Sequence, residues 1–151
     1  MRTKKTFLVV ALLMVGLCAV FVRAQSQSSR PDLSGKWTLI EGDPAASSPL
    51  GNQGSITQNS SAVALGSLRI PFDGSKATNQ DGPFLWQYEG RWVGFALVVS
   101  MKTISGANAG AFEDLMIVTP SGPNTMTMVV MRTPKASGKV MHTFTLSYKK
   151  S

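Results

Sequence analysis

The feature that most limits how this chain can fold is the close spacing of turn-forming residues after position 33. Clusters rich in Gly, Pro, Asn and Ser separate short segments in which apolar and polar residues alternate. Alternation with a period of two is typical of strands, whereas an amphipathic helix needs a longer segment with a 3.6-residue period. About eight such segments and no amphipathic helix can be counted. The pattern predicts an antiparallel sandwich or barrel. We favour an all-β, antiparallel up-and-down barrel of about eight strands, because closure removes both exposed sheet edges.

Two of the predicted strands are long and contain a glycine. The first has an irregularity at Gly66, and the second has Gly94 easing a bend. Turns are expected at 59–61, at Asp73-Gly74 and at Glu89-Gly90. The predicted strands cover residues 34–40, 55–58, 62–72, 84–88, 91–104, 111–119, 125–133 and 139–148.

The N-terminal segment has the organisation of a secretory signal peptide. Basic residues at positions 2, 4 and 5 precede an apolar stretch over 7–22, and Ala24 supplies a small residue for cleavage. The 16 residues of that stretch are fewer than the ~20 that span a bilayer, so we predict no membrane span after cleavage. Lipid attachment at Cys18 is the less favoured alternative, because Leu17 stands where a small residue is required. The sequence therefore predicts a secreted or periplasmic protein.

Cleavage after Ala24 would leave a mature chain of 127 residues without cysteine. Its balance would be 11 basic against eight acidic residues, and these charges are scattered. Nucleic-acid binding needs clustered Lys and Arg, so the charge pattern argues against such a partner. We expect a flexible leader over 25–33 and one domain over 34–151, large enough to bury a core without disulfides.

One short motif resembles a known family. Gly35-Lys36-Trp37 opens the first predicted strand and is followed by a long loop over 41–53 and a series of strands. This arrangement resembles the lipocalins, and more closely small bacterial secreted lipocalin-like domains. The resemblance implies that Trp37, with Gly35, closes one end of the barrel. It also implies that an arginine from a late strand, here Arg132, packs on the indole as a cation–π contact of ~0.5 to 2 kcal/mol.

A barrel of about eight strands can be filled by its own side chains or can hold one small ligand. The mature chain keeps six methionines, which suit adaptable apolar contacts. The leading hypothesis is therefore an exported lipocalin-like domain that binds a small apolar or amphipathic ligand. In the alternative, methionines fill a solid core and the domain acts as a protein or cell-envelope interaction module. The candidate ligand-binding residues are Trp86, Trp92, Phe95 and Met128.

Catalysis and metal binding have little support in the sequence. His142 is the only histidine, and neither a Gly-x-Ser-x-Gly motif nor a mature cysteine supplies a nucleophile. Glu113 and Asp114 are adjacent, so a strand places them on opposite faces. Asp73 and Asp81 lack the spacing of a calcium loop. We expect neither an enzyme nor a cofactor, no metal site, and His142 at the wall or surface.

Overall fold

A computed structural model describes residues 30–43, 48–106 and 109–151 of the chain. The predicted signal peptide, 1–24, lies outside these residues. All the strands belong to one compact unit, Pro31–Ser151. Among the described residues no helix is long and apolar enough to cross a membrane.

The described part of the chain contains ten strands and no helix. In chain order they are β1 (Gly35–Glu41), β2 (Gln53–Gln58), β3 (Ala62–Leu65), β4 (Leu68–Pro71), β5 (Ala77–Asp81), β6 (Phe84–Val93), β7 (Ala96–Ser105), β8 (Phe112–Gly122), β9 (Thr125–Pro134) and β10 (His142–Lys150).

The ten strands form one antiparallel sheet in the order β4-β3-β2-β1-β10-β9-β8-β7-β6-β5. Every strand pairs with its neighbour along the chain except across β4 and β5, and β1 joins β10 to complete the circuit. The sheet thus forms a nearly closed up-and-down barrel, with its two edges at β4 and β5. This confirms the predicted fold class, with two more strands than expected.

The two extra strands arise where the sequence pattern was weakest. The strand predicted over 62–72 is a hairpin, β3 and β4, which reverses at Gly66 and Ser67. Gly66 has a φ of +58°, a left-handed conformation that favours glycine in tight turns. Strand β5 was not predicted because its sequence, Ala-Thr-Asn-Gln-Asp, has no apolar alternation.

The turn predicted at Glu89-Gly90 is wrong. Strand β6 continues through both residues to Val93, and the chain reverses instead at Gly94 and Phe95. Gly94 has a φ of +59°, and Phe95 is 65% exposed at the turn. This turn was not predicted from the sequence, because the apolar residues on both sides of it continue the alternation of the flanking strands.

Gly90 leaves space for β4 at the barrel seam, which is the gap between the two edge strands β4 and β5. A Cβ built on Gly90 would lie 2.2 Å from Cγ2 of Ile70. Ile70 is fully buried and belongs to β4, which pairs with no strand of the described residues on that side. Strand β4 therefore closes this part of the seam by packing against β6.

The barrel has two different ends, named here after one residue at each. The Trp37 end contains the start of β1 and the β6–β7 and β8–β9 turns. The Arg132 end contains the residues after β1, the β3–β4 and β5–β6 turns, and the connections after β7 and β9. Between the ends, the inward side chains form a packed core. Its fully buried members include Val63, Leu65, Ile70, Leu97, Val99, Met116, Val118, Met126, Met128 and Tyr148.

Candidate functional site

The Arg132 end contains a cavity of about 340 Å³. It lies where strands β4 and β5 do not pair, so the barrel wall is incomplete beside it. Side chains of six strands, β4 to β9, contribute to its walls, together with the β3–β4 turn and two residues of the β1–β2 connection. The lining consists of Ser48, Pro49, Ser67, Leu68, Asn79, Gln80, Asp81, Trp86, Met101, Asp114 and Arg132.

An ion pair occupies one wall of this cavity. Arg132 Nε donates to Asp114 Oδ1 at 2.9 Å, and Arg132 Nη2 donates to Asp114 Oδ2 at 2.7 Å. The two residues are register partners on β9 and β8, so their inward side chains meet side by side. The Asp114 side chain is 2% exposed and that of Arg132 is 30% exposed. The guanidinium carbon also lies 5.7 Å from the ring centre of Phe112.

This pairing fixes the arginine as a charged group. Hydrogen bonding to Asp114 raises the pKa of Arg132, and burial opposes that shift. The guanidinium therefore remains protonated at every pH at which the protein would be handled. A bidentate contact also sets its orientation, since both bonds must form together. The cavity wall thus has a rigid, polar element that is locally neutral.

A second group of side chains crosses from β5 to β6 on the inner face. Asn79 is the register partner of Trp86, and Asp81 lies two residues further along the same face. Asn79 Nδ2 also donates to Ser67 Oγ at 3.4 Å, which links β5 to the β3–β4 turn across the seam. The indole of Trp86 is therefore bordered by an amide and a carboxylate.

The β1–β2 connection covers part of the same end and is held by Tyr148. The Tyr148 hydroxyl donates to the carbonyl of Gly51 at 3.0 Å and is hydrogen-bonded to the hydroxyl of Ser48. The backbone amide of Leu50 donates to Ser48 Oγ at 3.1 Å, and the Leu50 side chain is buried. Burial raises the pKa of Tyr148, partly offset by the Ser48 bond. Ser48 and Pro49 are thereby fixed at the edge of the cavity.

The four predicted ligand-binding residues do not come together. Trp86 lines the cavity. Met128 is fully buried in the core, with its sulfur 3.8 Å from Ser48 Oγ. Trp92 lies at the Trp37 end, where it packs edge-on against Phe72 with ring centres 6.2 Å apart. Its Nε1 is buried without a hydrogen-bond partner in the described residues. Phe95 is on the exposed β6–β7 turn at that same end.

Trp37 closes the opposite end of the barrel from the cavity. It is buried, and its indole Nε1 donates to the carbonyl of Leu33 at 2.8 Å. Leu33, placed in the flexible leader by the sequence prediction, is itself buried, and its amide donates to Gln58 Oε1 at 3.3 Å. The short segment before β1 therefore folds over the tryptophan and joins the core.

The predicted contact between Trp37 and Arg132 is wrong. Trp37 is level with Lys150 at the end of β10, whereas Arg132 is level with His142 at its start, about 25 Å away at the usual rise of a strand. The cation over the indole is Lys150, with its Nζ 5.9 Å from the ring centre. Gly35 allows this approach, since a Cβ there would lie 2.4 Å from Lys150 Cε.

The other titratable residues weighed in the sequence are dispersed. His142 is exposed at the start of β10 and stacks on Phe144, with ring centres 5.9 Å apart. Glu113 is exposed and Asp114 is buried, so the two face opposite sides as predicted. Asp73 lies in the connection before β5, and Asp81 is the last residue of β5. Within the described ranges, no three metal-binding side chains cluster.

The sequence reasoning missed Asp114, Asn79 and Asp81 as cavity residues. A signal for Asp114 was present, because it occupies an inward position of β8 between apolar residues that also face inward. A buried carboxylate requires a partner, and Arg132 occupies an inward position on the next strand. Asn79 and Asp81 could not be placed because strand β5 itself has no apolar alternation.

Comparisons with family models, with curated proteins and with solved structures gave no match for this chain.

Proposed function

We propose that this protein is an exported, lipocalin-like barrel that binds a small amphipathic molecule in the cavity at the Arg132 end. The observation that carries the proposal is the composition of this cavity, in which apolar side chains and a preorganised ion pair face the same space. Small-molecule sites are typically concave and largely apolar, with a few fixed polar groups.

The size of the cavity suits a small ligand. Its volume of about 340 Å³ lies at the lower limit of the range of roughly 300 to 1,000 Å³ that is usual for ligand pockets. Leu68, Trp86 and Met101 would contact the apolar part of the molecule. The fully buried core beneath them would stop it from entering further, so the polar part would remain near the rim.

The rigidity of the site also favours binding. Both oxygens of Asp114 accept hydrogen bonds from Arg132. The β1–β2 connection, which forms the roof of the cavity, is held by two hydrogen bonds of the Tyr148 hydroxyl. Groups that are already ordered lose little conformational entropy when a ligand binds. A site of this kind gains affinity from preorganisation rather than from a large contact area.

The proposal is tested by titrating the purified mature domain with N-phenyl-1-naphthylamine, a neutral fluorescent probe. Saturable one-to-one binding to the folded protein is expected. Trp86→Ala should weaken it at least about tenfold, because the indole is a principal apolar wall. Phe95→Ala is the matched control, since it removes an aromatic ring at the other end and should leave the affinity unchanged.

Two outcomes would contradict the proposal. Equal effects of Trp86→Ala and Phe95→Ala would place the probe elsewhere, and no saturable binding by a cooperatively unfolding protein would remove the ligand-binding function. If Trp86→Ala does not fold, Leu68→Trp replaces it, because a larger side chain at this half-buried position would fill the cavity. That variant should also abolish binding.

A second function, as an interaction module, is favoured by the outer face of the β7–β8–β9 wall. Half-buried apolar side chains adjoin one another there through the register of the three strands, and a coherent apolar patch is typical of an interaction surface. The patch consists of Val98, Leu115, Ile117, Val129 and Met131. Sedimentation of the wild type and Ile117→Lys would test it, since concentration-dependent association lost in the variant would support this function.

A further inference from the structure

The charges around the cavity do not balance. Arg132 is the only cation that the described residues contribute to the lining, and its bidentate bond to Asp114 neutralises that pair. Asp81 is the remaining charged residue of the lining, and no ion pair to it is found among the described residues. The cavity therefore has a net charge of about −1 at neutral pH, located on the β5 side.

On the β5 side of the cavity, hydrogen-bond acceptors predominate over donors. Asn79 directs its amide nitrogen to Ser67 Oγ at 3.4 Å, and Gln80 directs its amide nitrogen to the carbonyl of Gly82 at 2.6 Å. Each amide thus uses one of its two N–H donors within the protein and keeps its carbonyl oxygen as an acceptor. Together with the carboxylate of Asp81, the β5 wall offers acceptors to a ligand.

The aromatic wall stands beside these acceptors. Trp86 is directly opposite Asn79 in the β5–β6 ladder, so the two side chains lie on one face as neighbours. The face of an indole attracts a cation, and the attraction strengthens when water is excluded. Met101 and Leu68 complete an apolar floor on which a hydrocarbon chain could pack.

We propose that the ligand of this cavity is an amphipathic cation, whose ammonium group lies between Asp81, the Asn79 carbonyl oxygen and the face of Trp86, with its apolar part toward Leu68 and Met101. This inference rests on the proposed function and specifies its ligand class. An ammonium has three donors and no acceptor, which complements a wall of acceptors. A carboxylate would instead meet Asp81 as a like charge.

The test compares three ligands with the same chain: octylamine, octan-1-ol and octanoate. Each displaces N-phenyl-1-naphthylamine from the wild-type domain at low ionic strength and about pH 7.5, where an alkylamine is protonated and a carboxylate is ionised. Octylamine should bind about tenfold more tightly than octanoate, with octanol between them. Added salt should reduce this preference, because Asp81 is exposed to solvent.

The variant Asp81→Asn tests whether the preference for octylamine depends on the carboxylate of Asp81. It should weaken octylamine binding roughly threefold, as expected for a pair at an exposed rim, and leave octanol unchanged. Glu89→Gln is the matched control, since it removes one negative charge from the exposed outer face of β6, away from the cavity. This control should retain the wild-type order of the three ligands.

The outcomes separate the two proposals. Displacement by all three ligands with equal affinity, or a preference for octanoate, would overturn the cationic ligand while leaving a ligand-binding barrel. An amine preference that Glu89→Gln reduces as much as Asp81→Asn would also overturn it, because the general charge of the protein would then be the cause. If the probe itself does not bind, the proposed function fails first.

Discussion

The two ends of this barrel are closed by different kinds of interaction. At the Trp37 end, an indole is buried under the preceding segment and is joined to it by a backbone carbonyl. At the Arg132 end, an ion pair, a tyrosine hydroxyl and the β1–β2 connection surround a space that side chains do not fill. The first arrangement fills its end of the barrel, and the second leaves a cavity of about 340 Å³.

The comparison shows how one small sheet can combine a packed core with an unfilled cavity at one end. Burial of large apolar groups supplies most of the free energy of folding, and it is concentrated in the middle and at the Trp37 end. The Arg132 end contributes polar contacts, each of which adds little net stability. Substitutions at the two ends should therefore differ in their effects on unfolding and on binding.

The largest expected effect is at the closed end. Trp37→Ala should lower the free energy of unfolding by roughly 3 to 5 kcal/mol, because a large cavity replaces a buried indole. Denaturant titration measures the change, with Phe95→Ala as an exposed control expected to stay within about 0.5 kcal/mol. A loss below about 1 kcal/mol for Trp37→Ala would contradict its place in the core.

A smaller loss is expected at the seam that joins the two ends. Gly90→Ala should cost about 1 to 3 kcal/mol, because the new methyl group would collide with Ile70 Cγ2. In a protein that already carries Ile70→Ala, the same substitution should cost much less, since the opposing group is absent. Equal costs in both backgrounds, measured by denaturant titration, would show that β4 does not restrain this position.

The open end should respond less. Tyr148→Phe removes the bonds to Gly51 and Ser48 and should cost about 1 kcal/mol, while the ring stays packed in the core. Binding of the neutral probe should weaken as well, because the roof of the cavity loses its attachment. A stability loss with unchanged probe affinity would separate the roof from the binding site. Thr145→Val, on the exposed face of β10, serves as the control.

The smallest effect concerns pH. Burial raises the pKa values of Tyr88 and Tyr148, and hydrogen bonds to Arg69 and Ser48 respectively oppose the shifts. Since the folded pKa exceeds the unfolded value of 10.0, their contribution is complete below pH 10 and is lost as pH rises above it. The free energy of unfolding should therefore fall progressively as pH rises above 10.

Unfolding titrations between about pH 8 and pH 11 would measure this slope. Tyr88→Phe should remove part of the alkaline decline, because phenylalanine has no ionisable group. Tyr148→Phe should remove a similar part in addition to its effect at neutral pH. A slope that is unchanged in both variants would assign the decline to other groups.

Much of the architecture was predictable from local patterns. The alternation in β8, β9 and β10 is regular, and the proline- and glycine-containing segments between them permit few conformations. The all-β class follows from this, and a barrel was favoured over a sandwich because closure removes exposed sheet edges. The turn after β6 was misplaced, because Glu89-Gly90 has the composition of a turn while Gly90 is required by a distant strand.

The residues around the cavity were predictable only in part. Trp86, one of the four predicted ligand-binding residues, lines the cavity, whereas Trp92 and Phe95, which are also aromatic, lie at the other end. An aromatic residue in a strand has a face that alternation predicts, but its height along the barrel depends on register. The arginine expected at Trp37 illustrates this, since Lys150 occupies that position.

What the sequence by itself determined is the period of the strands, the positions of many turns and the residues with inward-facing side chains, because these depend on neighbours along the chain. Only the tertiary structure decided that β1 joins β10, that Asp114 meets Arg132, and that the barrel is filled at one end and open at the other. Those features depend on strand register and on side-chain volume across the barrel. Both are set by contacts between residues far apart in sequence.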